Sequence, residues 1–389
     1  MMKAIFDKQT LLGAVSAAAG ISQTKNTFTA ADGLLFECPP DPKFGDYDTG
    51  RDDLCRISAF DLEKGLRATI PCTVIEKGMA VLNTVKILQI VRALPDGEIT
   101  VDVNERGRAL VSGGSFRFEI TASPGSEFPS MPMFVGDRIW QIPQRTLKFL
   151  LTKTVYAVAQ NDPRAAFNGA LVRIRDGVLT VVGSDGFRIS TAKAALTDEN
   201  GTVPDAEMLI PGRFLGELIR LLRDTDDTVP MLLGRKHVIF TVDNLRFFTR
   251  LMDTEYVPYE QFFPQSAKTD VIVSRERLLE AVESVSVVTE DRLGGSGRTY
   301  IKLDFTGDGI ALSSVSSGGS VSGTIPADVT GQDITIAFTC RYLLDALKAV
   351  PEDCETLRIR LNSPGTGILI EPTDGDTFAD FILPYRIGK

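Results

Sequence analysis

The chain has 389 residues, of which 43% are hydrophobic and 24% are charged. This composition predicts an ordinary globular protein of two to three domains, and it excludes a long disordered tract, a collagen-like chain and a disulfide scaffold. The net charge of −9 argues against a surface coated throughout for nucleic-acid binding, and the single histidine, His237, leaves little material for histidine-based catalysis.

The cysteines and the N-terminus indicate the compartment. None of the five cysteines belongs to a C-x-x-C pair, so we expect neither a zinc cluster nor a disulfide framework, but small buried side chains. The N-terminus is charged where a signal peptide needs an apolar run, and no apolar stretch reaches the roughly 18 residues of a membrane span. We predict a soluble, cytoplasmic protein with no cofactor, no metal and no membrane partner.

Six segments have apolar residues at helical spacing. In chain order they are residues 7–20, 77–94, 143–159, 211–223, 274–289 and 340–350. Alternating apolar runs bounded by Gly and Asp turns are typical of strands, as at residues 171–174, 178–182 and 301–305. Residues 40–53 are rich in Pro, Gly and Asp, which indicates an exposed loop.

One pattern occurs three times along the chain. An amphipathic helix, a short acidic turn and an alternating strand recur at Leu88–Val103, Glu217–Leu233 and Tyr342–Leu361. The repeat predicts an α+β chain of three similar domains, at residues 1–135, 136–266 and 267–389. Each domain is expected to be an antiparallel sheet that carries two helices on one face.

Positive charge is concentrated on the predicted helices. The six segments together carry a net positive charge, although the whole chain is negative. If the helices share one side, that side favours sequence-independent contact with phosphates, since no zinc finger or basic zipper is present for reading bases. Exposed Lys and Arg also serve solubility alone, so a β-rich interaction scaffold that does not act on DNA is the alternative.

No motif predicts an enzyme. Gly183-Ser184-Asp185-Gly186 lacks the G-x-S-x-G spacing of a nucleophile turn, and Gly294–Gly297 lacks the Lys-Ser/Thr of a phosphate loop. The acidic turn 224–227 is expected to be a solvated helix end rather than a cation site. We therefore expect no catalytic residue.

Four segments match conserved stretches of one protein family. Residues 162–169 (DPRAAFNG) and 183–189 (GSDGFRI) are similar to its DxRxxLNG and TDGHRL stretches, and residues 250–264 and 381–386 match two further family segments. In these segments the chain resembles the bacterial sliding clamp, the beta subunit of DNA polymerase III. With the threefold repeat, the resemblance spans the whole chain. It implies a DNA-clamp fold and a head-to-tail homodimeric ring whose helices line a channel for double-stranded DNA. It also implies a processivity factor that tethers the replicative DNA polymerase, the clamp loader and repair proteins through short linear motifs.

The resemblance also assigns residues to three surfaces. The partner-peptide groove would comprise Phe167, Ser184, Gly186, Phe187, Arg188, Ile189, Val257, Gln261, Phe262, Thr339, Tyr342, Gly365, Gly367, Phe381, Ile382, Leu383, Pro384, Tyr385 and Arg386. The DNA-facing residues would be Lys25, Lys86, Arg92, Arg145, Lys148, Lys153, Asn161, Arg213, Arg220 and Arg223. The dimer interface would pair Phe118 and Ile120 of one chain with Val287 and Val288 of the other.

The chain departs from the family pattern at three places that bear on the groove. Phe187 stands where the family usually has His, and Val257-Pro258 replaces a Phe-Pro step. Residues 387–389 run past the usual end of the family.

Overall fold

The computed structural model describes residues 1–21, 32–40, 51–132, 136–196, 203–264, 266–289, 300–316 and 319–386. Four features named from the sequence lie wholly or partly outside these ranges: Lys25, residues 41–50 of the predicted loop, the Gly294–Gly297 segment and Ile387–Lys389. Within the ranges, no helix combines the length and apolar character needed to cross a membrane.

The described ranges contain six α-helices, and each lies in a segment predicted to be helical. They are α1 (Lys8–Ala19), α2 (Thr84–Ala93), α3 (Gln144–Thr154), α4 (Gly212–Leu221), α5 (Arg275–Thr289) and α6 (Cys340–Ala349).

The second helix is shorter than its predicted segment. Asn83 caps its first turn by accepting a hydrogen bond from the Lys86 backbone N–H (3.0 Å), and the preceding residues form a strand. Lys77, which the sequence placed on this helix, instead pairs with Asp52 (2.7 Å). Its charge therefore does not belong to the helical surface.

The strands of the described ranges pair antiparallel throughout, which confirms the predicted sheet type. They are β1 (Met2–Asp7), β2 (Gly33–Cys38), β3 (Leu54–Phe60), β4 (Lys64–Pro71), β5 (Thr73–Glu76), β6 (Gly78–Asn83), β7 (Glu98–Val103), β8 (Arg108–Gly113), β9 (Phe116–Pro124), β10 (Gly136–Pro143), β11 (Gly169–Arg175), β12 (Val178–Ser184), β13 (Arg188–Ala195), β14 (Ala206–Pro211), β15 (Thr228–Gly234), β16 (His237–Val242), β17 (Leu245–Arg250), β18 (Thr269–Ser274), β19 (Tyr300–Thr306), β20 (Gly309–Ser316), β21 (Gly319–Ile325), β22 (Asp328–Gly331), β23 (Ile334–Thr339), β24 (Thr356–Leu361), β25 (Ile368–Pro372) and β26 (Phe378–Ile382).

The chain divides into two compact units, and the first comprises Met1–Arg145 and Arg220–Leu251. Its strands form one sheet in the order β10-β15-β16-β17-β4-β3-β2-β6-β9-β8-β7-β1-β5. Alternate residues of β1 are buried, and helix α1 buries the stripe Leu11, Ala14, Val15 and Ala18. The period-two and period-3.6 patterns of the sequence therefore mark the buried faces of these elements.

The second unit comprises Thr146–Ile219 and Met252–Lys389. It contains a nine-stranded sheet, β14-β11-β12-β13-β26-β25-β24-β18-β22, and a four-stranded sheet, β21-β20-β19-β23. Strand β26 lies between β13 and β25, where it joins strands from residues 169–211 to strands from residues 269–372. The candidate site lies beside this strand.

Residues 136–266, predicted as a central domain, contribute to both compact units. The predicted boundaries after residues 135 and 266 therefore stay predictions.

The cysteines only partly follow the expectation of burial. Cys38, Cys55 and Cys340 are buried, whereas Cys72 and Cys354 are half-buried. Burial raises the pKa of the Cys55 thiol, which suits an inert packing role.

Candidate functional site

A largely apolar pocket with a cavity volume of about 70 Å³ opens beside β26 in the second unit, and we call it the groove. Its lining residues are Phe167, Ser184, Gly186, Phe187, Arg188, Ile189, Val257, Phe262, Phe381 and Leu383. All ten belong to the set that the sequence predicted for a partner-peptide groove. Sites of this kind, apolar with a few convergent polar groups, are typical of ligand binding.

Residues 162–169 fix the first wall through local hydrogen bonds. The Asp162 carboxylate accepts from the Arg164 backbone N–H (2.8 Å) and from its guanidinium (2.9 Å), and this pairing lowers the pKa of Asp162 to about 2. Asn168 accepts from the backbone N–H of Asp162 (2.8 Å) and donates to its carbonyl (2.7 Å). The loop thereby holds buried Phe167 against the groove, with the Arg164 guanidinium 4.2 Å from the centre of its ring.

A tight turn between β12 and β13 forms the second wall. The Ser184 hydroxyl donates to the Arg188 carbonyl (2.8 Å) and accepts from the Gly186 N–H (3.1 Å). The Asp185 carboxylate accepts from the backbone N–H groups of Phe187 (2.9 Å) and Arg188 (3.1 Å). Gly186 has φ +86°, and a Cβ there would lie 2.8 Å from the Arg164 guanidinium. Residues 184–188 thus form a structural turn held by these hydrogen bonds.

Arg188 connects this turn to two other elements. Its guanidinium donates to Asp185 (3.1 Å), to Asp345 on α6 (2.7 Å) and to the carbonyl of Tyr156 (3.0 Å). It also stacks near the rings of Tyr156 (5.1 Å) and Tyr342 (4.8 Å). The side chain is therefore held on every side.

An aromatic cluster forms the floor. Phe381 on β26 lies 6.3 Å from both Phe262 and Phe263, measured between ring centres, and Phe263 meets Tyr259 edge to face (6.0 Å). Phe381 and Tyr259 are buried, whereas Phe262 is 42% exposed. Phe262 therefore offers its surface to a ligand.

The segment after β26 closes the groove. The Leu383 N–H donates to the Phe187 carbonyl (2.9 Å), and the Tyr385 N–H donates to the Ala337 carbonyl (2.7 Å). Tyr385 also stacks on Tyr300 (5.0 Å). The Phe187 ring is 49% exposed and stacks on Tyr342 (6.1 Å).

Nine residues predicted for the groove do not line it. Gln261, Gly365 and Arg386 are exposed, and Thr339, Pro384 and Tyr385 are half-buried. Tyr342 supports Phe187, and Gly367, at φ +82°, leaves room for the Phe381 ring, 2.9 Å from where a Cβ would stand. Ile382 is fully buried in the core of the unit, because alternation along β26 turns it away from the face that carries Phe381.

Four residues that support the groove were missed by the sequence reasoning. Arg164 and Asp345 hold Phe167 and Arg188, and the Tyr156 hydroxyl donates to the buried carboxylate of Asp380 (2.5 Å). Arg164 lies inside a recognised motif, so that signal was available. Asp345 and Asp380 are separated from Arg188 by more than 150 residues, and no local pattern connects them.

The predicted DNA-facing residues lie in both units. In the first unit Lys86, Arg92, Arg145, Arg220 and Arg223 are exposed, but Arg145 pairs with Asp226 (2.8 Å) and Arg223 with Asp243 (2.7 Å).

In the second unit Arg213 donates to the Asn161 side chain (2.7 Å), and both residues are exposed. Lys148 and Lys153 are half-buried. Burial lowers the pKa of Lys153, whose ammonium donates to the Val350 carbonyl (3.4 Å). Lys153 is thus held at the end of α6.

The predicted dimer residues differ in exposure. Val287 is 74% exposed and Val288 half-buried, whereas Phe118 is half-buried and Ile120 only 8% exposed. Ile120 is thus part of the core of its own unit. Phe116, on the same strand face as Phe118, is 55% exposed and is the more accessible surface residue.

The described residues contain no group of three His, Cys, Asp or Glu side chains that could hold a metal ion.

This chain is similar to DNA polymerase III beta subunits from several bacteria. Models of the N-terminal, central and C-terminal domains of the DNA polymerase III beta subunit match residues 2–132, 141–258 and 260–386. The beta sliding clamp of Bacillus subtilis is 28% identical over 393 aligned positions, which cover 99% of this chain and 100% of that protein. The beta sliding clamp of Halalkalibacterium halodurans is 27% identical over 342 residues, covering 87% of this chain and 88% of that one.

Solved structures of sliding clamps are also similar to this chain. The Bacillus subtilis DNA polymerase sliding clamp superposes with a TM-score of 0.89 at 26% identity, over the full length of both chains. A sliding clamp of Pseudomonas aeruginosa bound to griselimycin gives a TM-score of 0.87 at 23% identity, over 99% of this chain and 100% of that one. The three-domain DNA-clamp fold predicted from the sequence is therefore confirmed, and the chain belongs to the family of bacterial DNA polymerase III beta subunits, the beta sliding clamps.

Proposed function

We propose that this chain is a DNA sliding clamp, a processivity factor that encircles duplex DNA as a homodimeric ring and tethers the replicative polymerase. The observation that carries the proposal is the match to beta sliding clamps along the whole chain. In this role the protein is not an enzyme, because enclosure and tethering require no covalent step. We place its action in the cytoplasm, where bacterial DNA is replicated.

Two exposed strand edges support the dimer. In the described residues, the first half of β9 pairs only with β8, and β6 pairs with β9 only at residues 122–124. Strand β21, in the other compact unit, pairs only with β20 among the described strands. Unpaired edges are templates for strand addition, so two chains could cover them head to tail in a closed dimer. Exposed Phe116 near one edge and Val287 and Val315 near the other supply apolar contact area.

The cations on the helices support weak, sequence-independent DNA contact. Lys86 and Arg92 lie exposed on α2, and Arg220 lies exposed on α4. A ring holds DNA by topology, so direct affinity is expected to be low and strongly dependent on salt.

The groove supports the recruitment of partners, namely the polymerase, the clamp loader and repair proteins, by short linear motifs. Two apolar anchors would gain roughly 1.5–3 kcal/mol each on burial, while ordering a flexible tail opposes binding. A single motif is therefore expected to bind with a Kd near the micromolar range, and two linked motifs would bind far more tightly.

The deciding experiment combines mass and topology. Sedimentation should give two chains per particle, and protein loaded by a clamp loader should stay on nicked circular plasmid but leave the same plasmid after linearisation. Equal retention on both DNA forms, or none on either, would contradict the ring.

Deletion of Leu383–Lys389 tests the groove separately. The deletion removes the Leu383 and Tyr385 hydrogen bonds and the stacking on Tyr300. It should abolish binding of the polymerase C-terminal peptide while the protein remains dimeric. Equal peptide affinity in the truncated dimer would place the peptide site elsewhere.

A further inference from the structure

We propose that Asp345, on helix α6, is a positioning residue for the groove: it orients the Arg188 guanidinium and, through it, the Ser184–Arg188 turn that forms one wall. This inference rests on the proposed peptide-binding function. It adds a residue that lies outside the pocket lining and far from the turn in sequence.

The geometry fixes Arg188 in three directions. Its side chain is 7% exposed, and the three nitrogens donate to Asp185 (3.1 Å), Asp345 (2.7 Å) and the Tyr156 carbonyl (3.0 Å). The bond to Asp345 is the shortest of the three, and it is the one that reaches α6. A planar guanidinium held at three corners cannot rotate without breaking charge-assisted hydrogen bonds.

The wall of the groove depends on the same residue. The Arg188 backbone N–H donates to Asp185, and its carbonyl accepts from the Ser184 hydroxyl. Its neighbours on either side, Phe187 and Ile189, both line the pocket. Rotation of the guanidinium would therefore disturb the Asp185 carboxylate, because this group accepts hydrogen bonds both from the Arg188 side chain and from the backbone of the turn.

A second arginine makes a matched control possible. Asp345 also lies 3.7 Å from Arg341, whose side chain is 83% exposed. An exposed ion pair at this distance contributes little to stability. Removing one partner of a buried pair is costly, because the other charge then stays buried without a partner. Neutralising Asp345 and neutralising Arg341 should consequently have very different effects on the groove.

The test titrates a fluorescein-labelled peptide, the ten C-terminal residues of the replicative polymerase, against full-length dimeric variants. We expect Asp345→Asn to weaken binding about tenfold and Arg341→Gln to change it by less than twofold, in line with the strength of a charged hydrogen bond. Asn is isosteric with Asp, and the Asp345 side chain is 32% exposed, so the fold should persist. Unchanged affinity in Asp345→Asn would overturn the proposal.

A double-mutant cycle separates positioning from general damage to the structure. If Asp345 acts through Arg188, then Asp345→Asn should change affinity by less than twofold in an Arg188→Gln background, because the guanidinium is already absent. Additive losses would show that Asp345 acts by another route and would overturn the proposal.

A measurement without peptide keeps the two proposals distinguishable. Hydrogen exchange of the Arg188 Nε–H, followed by ¹⁵N NMR, should accelerate in Asp345→Asn but not in Arg341→Gln. Unchanged exchange in Asp345→Asn overturns the positioning role. Failure of the wild-type protein to bind the peptide, with accelerated exchange in Asp345→Asn, instead overturns the proposed function and leaves the positioning of Arg188 supported.

Discussion

At the scale of single residues, the groove depends on a few positions that tolerate little change. Gly186 is one of them, because its positive φ and the nearby guanidinium of Arg164 both exclude a side chain. The sequence indicated only that residues 183–186 are not a nucleophile motif. It did not indicate that Arg164, some twenty residues earlier, would occupy the space above Gly186, since only folding brings the two together.

Gly186→Ala should destabilise the protein and weaken peptide binding. A non-glycine residue at this φ costs about 1–3 kcal/mol, which urea unfolding would register. Gly365→Ala is the matched control, because that exposed glycine has no positive φ and a Cβ added there would meet no atom within 4 Å. Equal unfolding midpoints for the two variants would contradict the strain argument.

Titration of the Asp380 carboxyl should make the free energy of unfolding depend on pH. Burial raises the pKa of this carboxyl to about 7, although hydrogen bonds from Tyr156 and Ser190 and the charge of Arg188 oppose the rise. Between roughly pH 4 and 7 the folded carboxyl is protonated while the unfolded one is ionised, so its contribution to stability falls as pH rises and levels off above pH 7.

Asp380→Asn removes that titration. The difference in unfolding free energy between wild type and Asp380→Asn should therefore fall by a few kcal/mol from pH 4 to pH 7, since one pKa unit corresponds to about 1.4 kcal/mol. Chemical denaturation at several pH values provides the measurement. A difference that is constant with pH would show that Asp380 titrates normally in the folded protein.

At the scale of elements, the helices and many strands could be predicted from the spacing of apolar residues, because each of these elements buries one face. In helix α6 the sequence predicts an apolar stripe of Leu343, Leu344 and Leu347, of which Leu343 and Leu347 are buried and Leu344 is half-buried. The start of α2 was predicted seven residues too early, because residues 79–82 are also apolar and the Asn83 cap was not recognised. Strand pairing such as β13 with β26 joins residues nearly 200 apart, so local sequence holds no signal for it.

Residues 116–121 of β9, which pair only with β8 among the described strands, should control dimerisation. Phe116→Glu combined with Phe118→Glu places two charges on this edge and should give monomers at low micromolar concentration, measured by sedimentation velocity. Ile120 is left intact because it is 8% exposed, and a charge there would test folding instead. Leu62→Glu, at a residue 67% exposed in the turn after β3, should stay dimeric. A dimeric Phe116/Phe118 variant would place the interface elsewhere.

At the scale of the whole molecule, net charge and local charge have opposite signs. The chain carries −9, yet the exposed side chains of α2 include Lys86 and Arg92. A negative exterior would limit trapping of DNA outside the proposed ring, while cations on the helices would screen the phosphates within it.

Reversing Lys86 and Arg92 to Glu should lower retention on nicked circular plasmid without changing dimer mass. The dependence of the loaded fraction on salt should also become shallower, by up to about two in the log-log slope. Arg106→Glu with Lys236→Glu makes the same change in net charge at exposed residues outside the helices and should load normally. Equal losses in both variants would indicate a net-charge effect alone.

The position of strand β26 also determines when the groove can form during synthesis of the chain. It comes after every other strand of its sheet along the chain, yet it lies between β13 and β25 and carries Phe381 into the groove. A ribosome must therefore finish residues 378–383 before the two sets of strands can be joined. A nascent chain that has not reached these residues lacks Phe381 and Leu383, so the groove is completed only after every other strand of its sheet has been synthesised.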